Sequence, residues 1–191
     1  MIRRSIALFS CVLAFASAAA SAGTLQLAGD FHFTSKAPLE TFEGTGEGAT
    51  GTLNIDVADL TKTTGFVRVS SDALKTGSEI RDGHLKGEDW LDAKNFPEIR
   101  FEITSVEVVS QEAKGEVSVA KCNVSGNFTL HGVSKPLTAK ATFKWKGALA
   151  KADIRFKLAL KQYGIKGQEG VLGDKVAKTI RIRGELKGKL Q

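Results

Sequence analysis

Arg81-Asp82-Gly83-His84 brings a guanidinium, a carboxylate and an imidazole within four residues. An aspartate that orients an imidazole is the elementary unit of acid–base catalysis, so Asp82 and His84 are candidates for an enzymatic site. The alternative is a polar network at a helix end. Cys122 is the other nucleophile to weigh, but it alternates with Lys121 and Asn123 on the apolar side of a strand-like run. That setting suits a buried, inert thiol rather than one at a helix N-terminus. No Gly-x-Ser-x-Gly elbow is present, and His32, His84 and His131 are too scattered to suggest a metal site. Gly46-Glu47-Gly48-Ala49-Thr50-Gly51 matches G-x-G-x-x-G, a motif that binds dinucleotides only when a helix follows. Thr52-Leu53-Asn54-Ile55-Asp56-Val57 reads as a strand instead, which makes the glycines a turn between strands.

The elements that must position these groups are mostly strands. Leu137, Ala139, Ala141, Phe143 and Trp145 share one face of a segment whose other face carries Thr138, Lys140, Thr142, Lys144 and Lys146. The same period of two recurs in 120–130, 150–160 and 176–190, and further strand candidates are 24–33, 51–57, 63–71 and 97–109. Residues 75–93 break the alternation and predict one or two short helices before Phe96-Pro97. Eight long strands with one apolar face predict an all-β, eight-stranded antiparallel barrel, with a two-sheet sandwich as the competing arrangement. The same alternation names candidate lumen residues: Phe101, Ile103, Val124, Phe128, Leu130, Phe143, Trp145, Ile154, Phe156, Leu158, Ile180 and Ile182. Small residues at Ala120, Ala139, Ala141, Ala150 and Ala152 argue for space among them.

The 191 residues suit one domain, and 42% hydrophobic residues with 25% charged exclude general disorder. Arg3-Arg4 followed by an apolar run to Ala20-Ser21-Ala22 reads as a secretory leader over residues 1–22, with residues 23–191 as the exported domain. Cleavage near Ala22 places the product in the periplasm or outside the cell. Removing the two arginines lowers the formal charge from +6 to +4 and leaves Cys122 as the one cysteine, hence no internal disulfide. An outer-membrane barrel is excluded by polarity, because such a barrel needs an apolar exterior.

The outward parity is strongly basic. Lys140, Lys144, Lys146, Lys151, Arg155, Lys157, Arg181, Arg183, Lys187 and Lys189 fall on one outer surface if the last three strands are neighbours, offset there by Asp153 and Glu185. Lys140, Lys144, Arg155, Lys157, Arg181, Arg183 and Lys187 form the candidate face for an anionic membrane or an acidic partner. Nucleic acid is disfavoured, since the stripe carries almost no aromatic residues for base stacking.

Four stretches, in order, resemble the YceI-like family of exported, lipocalin-like polyisoprenoid-binding proteins. They are Ile80-Arg81-Asp82-Gly83-His84-Leu85; Trp90-Leu91-Asp92-Ala93-Lys94-Asn95-Phe96-Pro97-Glu98-Ile99-Arg100-Phe101; Gly126-Asn127-Phe128-Thr129-Leu130-His131-Gly132-Val133-Ser134-Lys135-Pro136-Leu137; and Tyr163-Gly164-Ile165 with Leu172-Gly173-Asp174-Lys175-Val176. The resemblance implies a lipocalin-like barrel holding a long-chain isoprenoid in its lumen, as carrier or scavenger. It implies no required cofactor or metal, and admits a polyisoprenoid or quinone-like lipid as ligand. Arg81, Asp82 and His84 then become a polar cluster at one barrel end. Two rival functions remain at this point: an enzyme acting at the barrel mouth through Asp82 and His84, and a ligand-free envelope stress or interaction protein that uses the basic face.

Overall fold

A computed structural model describes residues 22–165, 167 and 175–191. Residues 1–21 of the expected leader (1–22) and Leu172-Gly173-Asp174 of the fourth motif lie outside the described residues.

Eight long strands close into an antiparallel barrel: β1 (Ala22–Lys36), β2 (Thr41–Asp56), β3 (Thr64–Ser70), β5 (Glu98–Lys114), β6 (Val117–Leu130), β7 (Val133–Lys146), β8 (Leu149–Ala159) and β9 (Thr179–Leu190), with a two-residue strand β4 (Leu74–Lys75) attached to β2. The ring runs β1-β9-β8-β7-β6-β5-β3-β2, and β1–β2 pairing completes it. Closure leaves each of these strands a partner on both sides and rules out the two-sheet sandwich. A single short helix, α1 (Glu79–Lys86), lies in the segment expected to be helical. Residues 60–62, 71–73 and 160–163 form short 3₁₀ turns.

Two-residue turns explain the tight hairpins. His131 and Gly132 join β6 to β7 with φ of 50° and 70°, the left-handed conformation that a two-residue hairpin turn requires. The G-x-G-x-x-G run corrects the expectation of a turn, because it lies inside β2. Glu47 and Gly48 together oppose Asp30, and the Gly48 amide donates to Asp30 Oδ1 at 3.0 Å. This bulge bends the strand and exchanges its two faces: Ala49, Gly51, Leu53 and Ile55 point inward on one side of it, and Phe42, Gly44 and Gly46 on the other.

The core has two halves. One, around Leu25, Leu27, Leu53, Ile55, Leu60, Ala120, Cys122 and Phe143, lies toward the rim formed by the β5–β6 and β7–β8 hairpins. The other, around Leu91, Phe128, Leu130, Leu158, Leu160, Tyr163 and Ile165, lies toward the pole that carries α1. At that pole the β7–β8 ladder stops at Lys140 and Arg155 although both strands continue. Beyond this point β7 stays in register with β6 and carries Pro136, which has no backbone N–H to donate to a ladder. The 160–165 turn supplies Leu160, Tyr163 and Ile165 to the apolar core at this end.

Candidate functional site: an apolar lumen

Inward residues from all eight barrel strands surround one elongated cavity of about 230 Å³. Its wall runs from Leu27, Ile55 and Leu60 near the rim to Trp90, Leu91, Leu160 and Ile165 near the helical pole. Eleven of the twelve lumen candidates line it: Phe101, Ile103, Val124, Phe128, Leu130, Phe143, Ile154, Phe156, Leu158, Ile180 and Ile182. Trp145 does not. Its ring stacks on Phe143 with centroids 5.2 Å apart and planes 27° apart, and faces a shallow recess at the rim. Ala139, Ala141 and Ala152 keep the wall open on the β7–β8 side.

The wall offers almost nothing to hydrogen-bond. Thr63 is buried, and its hydroxyl donates to the Leu60 carbonyl at 2.8 Å. Arg68 and Arg100 border the cavity, but they alternate with the inward Val67, Val69, Ile99 and Phe101, so their side chains point outward. There the Arg100 guanidinium lies 3.7 Å from the Phe66 ring centre, and Arg68 pairs with Glu98 at 3.2 Å. Cys122 is buried in the wall, and burial pushes its thiol above the ordinary value, away from the reactive thiolate.

Sequence parity missed the first half of the lumen: Leu27, Phe31, Phe33, Phe42, Leu53, Ile55, Val67, Val69 and Val106 among others. In β1 and β3 the alternation was available but interrupted by glycines and polar residues. In β2 and β5 it is inverted by bulges. Thr104 and Val109 are each an extra residue against β6, so the inward set passes from Ile99, Phe101 and Ile103 to Val106 and Val108. Phe42 and Val106 were therefore on the wrong parity to be found.

The first three sequence motifs and Tyr163-Gly164-Ile165 of the fourth meet at the helical pole, where Arg81, Asp82 and His131 are occupied with structure. Asp82 Oδ1 accepts from the Thr76 amide and the Thr76 hydroxyl, both at 2.6 Å. The Thr76 hydroxyl, and then the amide, hold the Asp82 carboxyl below the usual range. His84 is exposed, and Asp82 makes no hydrogen bond to it. Arg81 pairs with Glu40 at 2.9 Å and lies over the Phe42 ring at 4.5 Å, which ties α1 to the β1–β2 connection. Arg81 and Asp82 thus brace a barrel end, and the three do not assemble around one point. Nearby, His131 Nδ1 bonds the Tyr163 carbonyl at 3.1 Å, and its ring meets Phe96 edge-on at 4.9 Å.

Across β7, β8 and β9 the basic face is banded. Lys140, Arg155 and Arg183 form one cross-strand row, and Lys157 faces Arg181 beside it. None of these five has a carboxylate within ion-pair distance among the described residues. The next row is Thr142, Asp153 and Glu185, and beyond it lie Lys144, Lys151 and Lys187. Lys151 bonds Glu185 at 3.0 Å and Asp153 at 3.1 Å, and Lys144 approaches Asp153 at 3.7 Å. Three of the ten stripe cations, Lys144, Lys146 and Lys151, thus have carboxylate partners, and the other seven have none among the described residues.

Fold and cavity together define an antiparallel barrel with an apolar lumen. The YceI-like domain model matches residues 18–187, and the chain belongs to that family. Among curated relatives, a UPF0312 protein of Pseudomonas savastanoi pv. phaseolicola is 32% identical over 123 residues, 61% of this chain and 60% of the relative. One from Pseudomonas putida W619 is 35% identical over 107 residues, 53% of this chain and 52% of the relative. The chain therefore matches between half and two thirds of these relatives' lengths. Among solved structures, Burkholderia cenocepacia BcnA superposes with a TM-score of 0.68 at 21% identity, covering 83% of this chain and 94% of that one. A polyisoprenoid binding domain from Saccharophagus degradans gives 0.67 at 13% identity, covering 87% and 98%. At these identities the superpositions establish the fold.

Proposed function

We propose that this chain is an exported binding protein that holds an isoprenoid or similar long-chain lipid tail in its lumen, as carrier or scavenger. One observation carries the reading: a cavity of about 230 Å³ walled by apolar side chains from every barrel strand, with its single buried hydroxyl already bonded. Such a wall favours hydrocarbon and penalises any ligand group that needs a hydrogen bond. A polar headgroup, including a quinone ring, then stays outside it. The polyisoprenoid binding domain of the same fold supports the ligand class.

Size and solvent constrain the mechanism. A 150 Å³ protein cavity holds a benzene, so this lumen takes roughly two isoprene units as it stands. A longer tail must turn side chains such as Phe128 and Phe156 aside or extend beyond the barrel. A lipid drawn from a bilayer gains little hydrophobic energy, because its tail leaves one apolar medium for another. Loading and release then run near balance, as exchange with a membrane requires. The basic outer face, with its unpaired Lys140, Arg155, Lys157, Arg181 and Arg183, assists contact with an anionic surface. The leader-like N-terminus favours the periplasm or the exterior as the place of action.

Native mass spectrometry of the protein purified from its own envelope tests the reading. The expected result is a population heavier than the polypeptide by the mass of an isoprenoid lipid. Bare polypeptide in every preparation, with no uptake of a fluorescent isoprenoid from vesicles, would overturn it.

A further inference from the structure

Trp145 is the penultimate residue of β7, on the inward parity, yet its ring is left half-buried. Its cross-strand neighbours are Ser118 and Ala150, and the next inward residue around the ring is Gly188. Ala150 and Gly188 line a shallow recess beside the indole, bordered by Val117 and by Leu149, which is 67% exposed. Lys144, Lys146, Lys151 and Lys187 border the same recess. Lys146 pairs with Glu116, while Asp153 and Glu185 hold Lys144 and Lys151 as described. Lys187 and the adjacent Lys189 have no ion pair among the described residues.

We infer that this rim is where the protein docks on an anionic lipid bilayer, with Leu149 and the Trp145 edge entering the headgroup boundary and the lysines at phosphate level. The inference rests on the carrier reading for its purpose, though not for its geometry. A soluble polyanion explains the lysines but leaves an exposed leucine and the partly exposed edge of an indole in water. A bilayer surface accommodates both, because lysine stems lie along apolar surface while their ammonium groups stay at the headgroups. The opposite pole also exposes apolar residues, Leu39 and Ile80, but their neighbours include Glu79, which an anionic surface repels, and Glu40, which neutralises Arg81. Docking at the rim brings the membrane within one aromatic layer of the lumen, since Trp145 stacks on Phe143 and Phe143 lines the cavity.

The test uses the full exported chain carrying Trp90→Phe, which leaves Trp145 as the sole tryptophan. Vesicles of phosphatidylethanolamine and phosphatidylglycerol with brominated acyl chains, at low salt, are expected to quench and blue-shift its emission. Leu149→Asp should lower the bound fraction roughly tenfold, and Lys187→Glu with Lys189→Glu should weaken binding and flatten its salt dependence. Circular dichroism checks that each variant keeps the barrel, and Leu149→Ser replaces any aspartate variant that does not. No quenching, equal binding to phosphatidylcholine vesicles, or unchanged binding of folded Leu149 variants overturns the inference. Uptake of an isoprenoid from detergent dispersion is measured alongside. If uptake fails while quenching persists, the carrier reading falls and the docking rim stands; if uptake persists without quenching, the reverse holds.

Discussion

Phe31 on β1 lies directly across from Gly184 on β9, and its ring covers the glycine so closely that a Cβ there would overlap it. Phe33 covers Gly44 across the β1–β2 ladder in the same way. These glycines are seats for aromatic rings, which lie along the wall instead of filling the lumen. Gly184→Ala should push Phe31 into the cavity, destabilise the barrel by about 1–3 kcal/mol and reduce lipid uptake. Urea unfolding measures the first effect and isoprenoid titration the second. Gly184→Ala combined with Phe31→Leu should recover part of the stability.

Ala139 and Ala141 line the cavity from β7, with Ala141 between Cys122 on β6 and Ile154 on β8. Replacing both by leucine puts side chains where a ligand tail would lie. Isoprenoid affinity should fall by at least about tenfold, while stability changes by no more than about 3 kcal/mol, because the added groups enter existing space. A double variant that binds as tightly as the parent would place the ligand elsewhere.

Cys122 reports on access to the lumen. It lines the cavity, and burial raises its thiol pKa. A charged aromatic disulfide reagent should react at least about a hundredfold more slowly with the folded protein than with the urea-unfolded chain. A small apolar maleimide should label the folded protein measurably faster than the charged reagent does, and bound lipid should block it.

Asp82 anchors the start of α1 through Thr76, and those hydrogen bonds lower its pKa. A carboxylate held below its unfolded value stabilises the fold at all pH above that value, about 4, and the contribution disappears as pH falls through the lower folded value. Exchange of the Thr76 amide should therefore accelerate as pH drops below about 4, beyond the intrinsic change. In Asp82→Asn that acid-dependent step should be absent. Lipid uptake at neutral pH should be unchanged in His84→Ala, whose side chain is exposed and unpaired with Asp82.

The second half of the barrel was legible from alternation alone. β6, β7, β8 and β9 pair with one another in unbroken register, so every second residue from Ala120 onward keeps its face, and the basic stripe follows from the same parity. The helix and the proline-marked entry to β5 were legible too, from loss of the period and from the restriction that Pro97 puts on Phe96. Trp145 had the correct parity but the wrong surroundings: its side of the strand is decided by sequence, whereas its place beyond the end of the lumen depends on how far each neighbouring strand extends.

What the amino-acid order determined by itself was most of the strands, together with the apolar faces and tight turns of β6 to β9, because these depend on neighbours one to three residues away. The bulges at Glu47-Gly48, Thr104 and Val109 are defined only against a partner strand, and so are the faces they exchange. The same holds for the banding of the cationic surface and for the use of Asp82 by Thr76 instead of His84. Closure of the barrel brings those residues together, and with it comes an apolar space that no single strand contains.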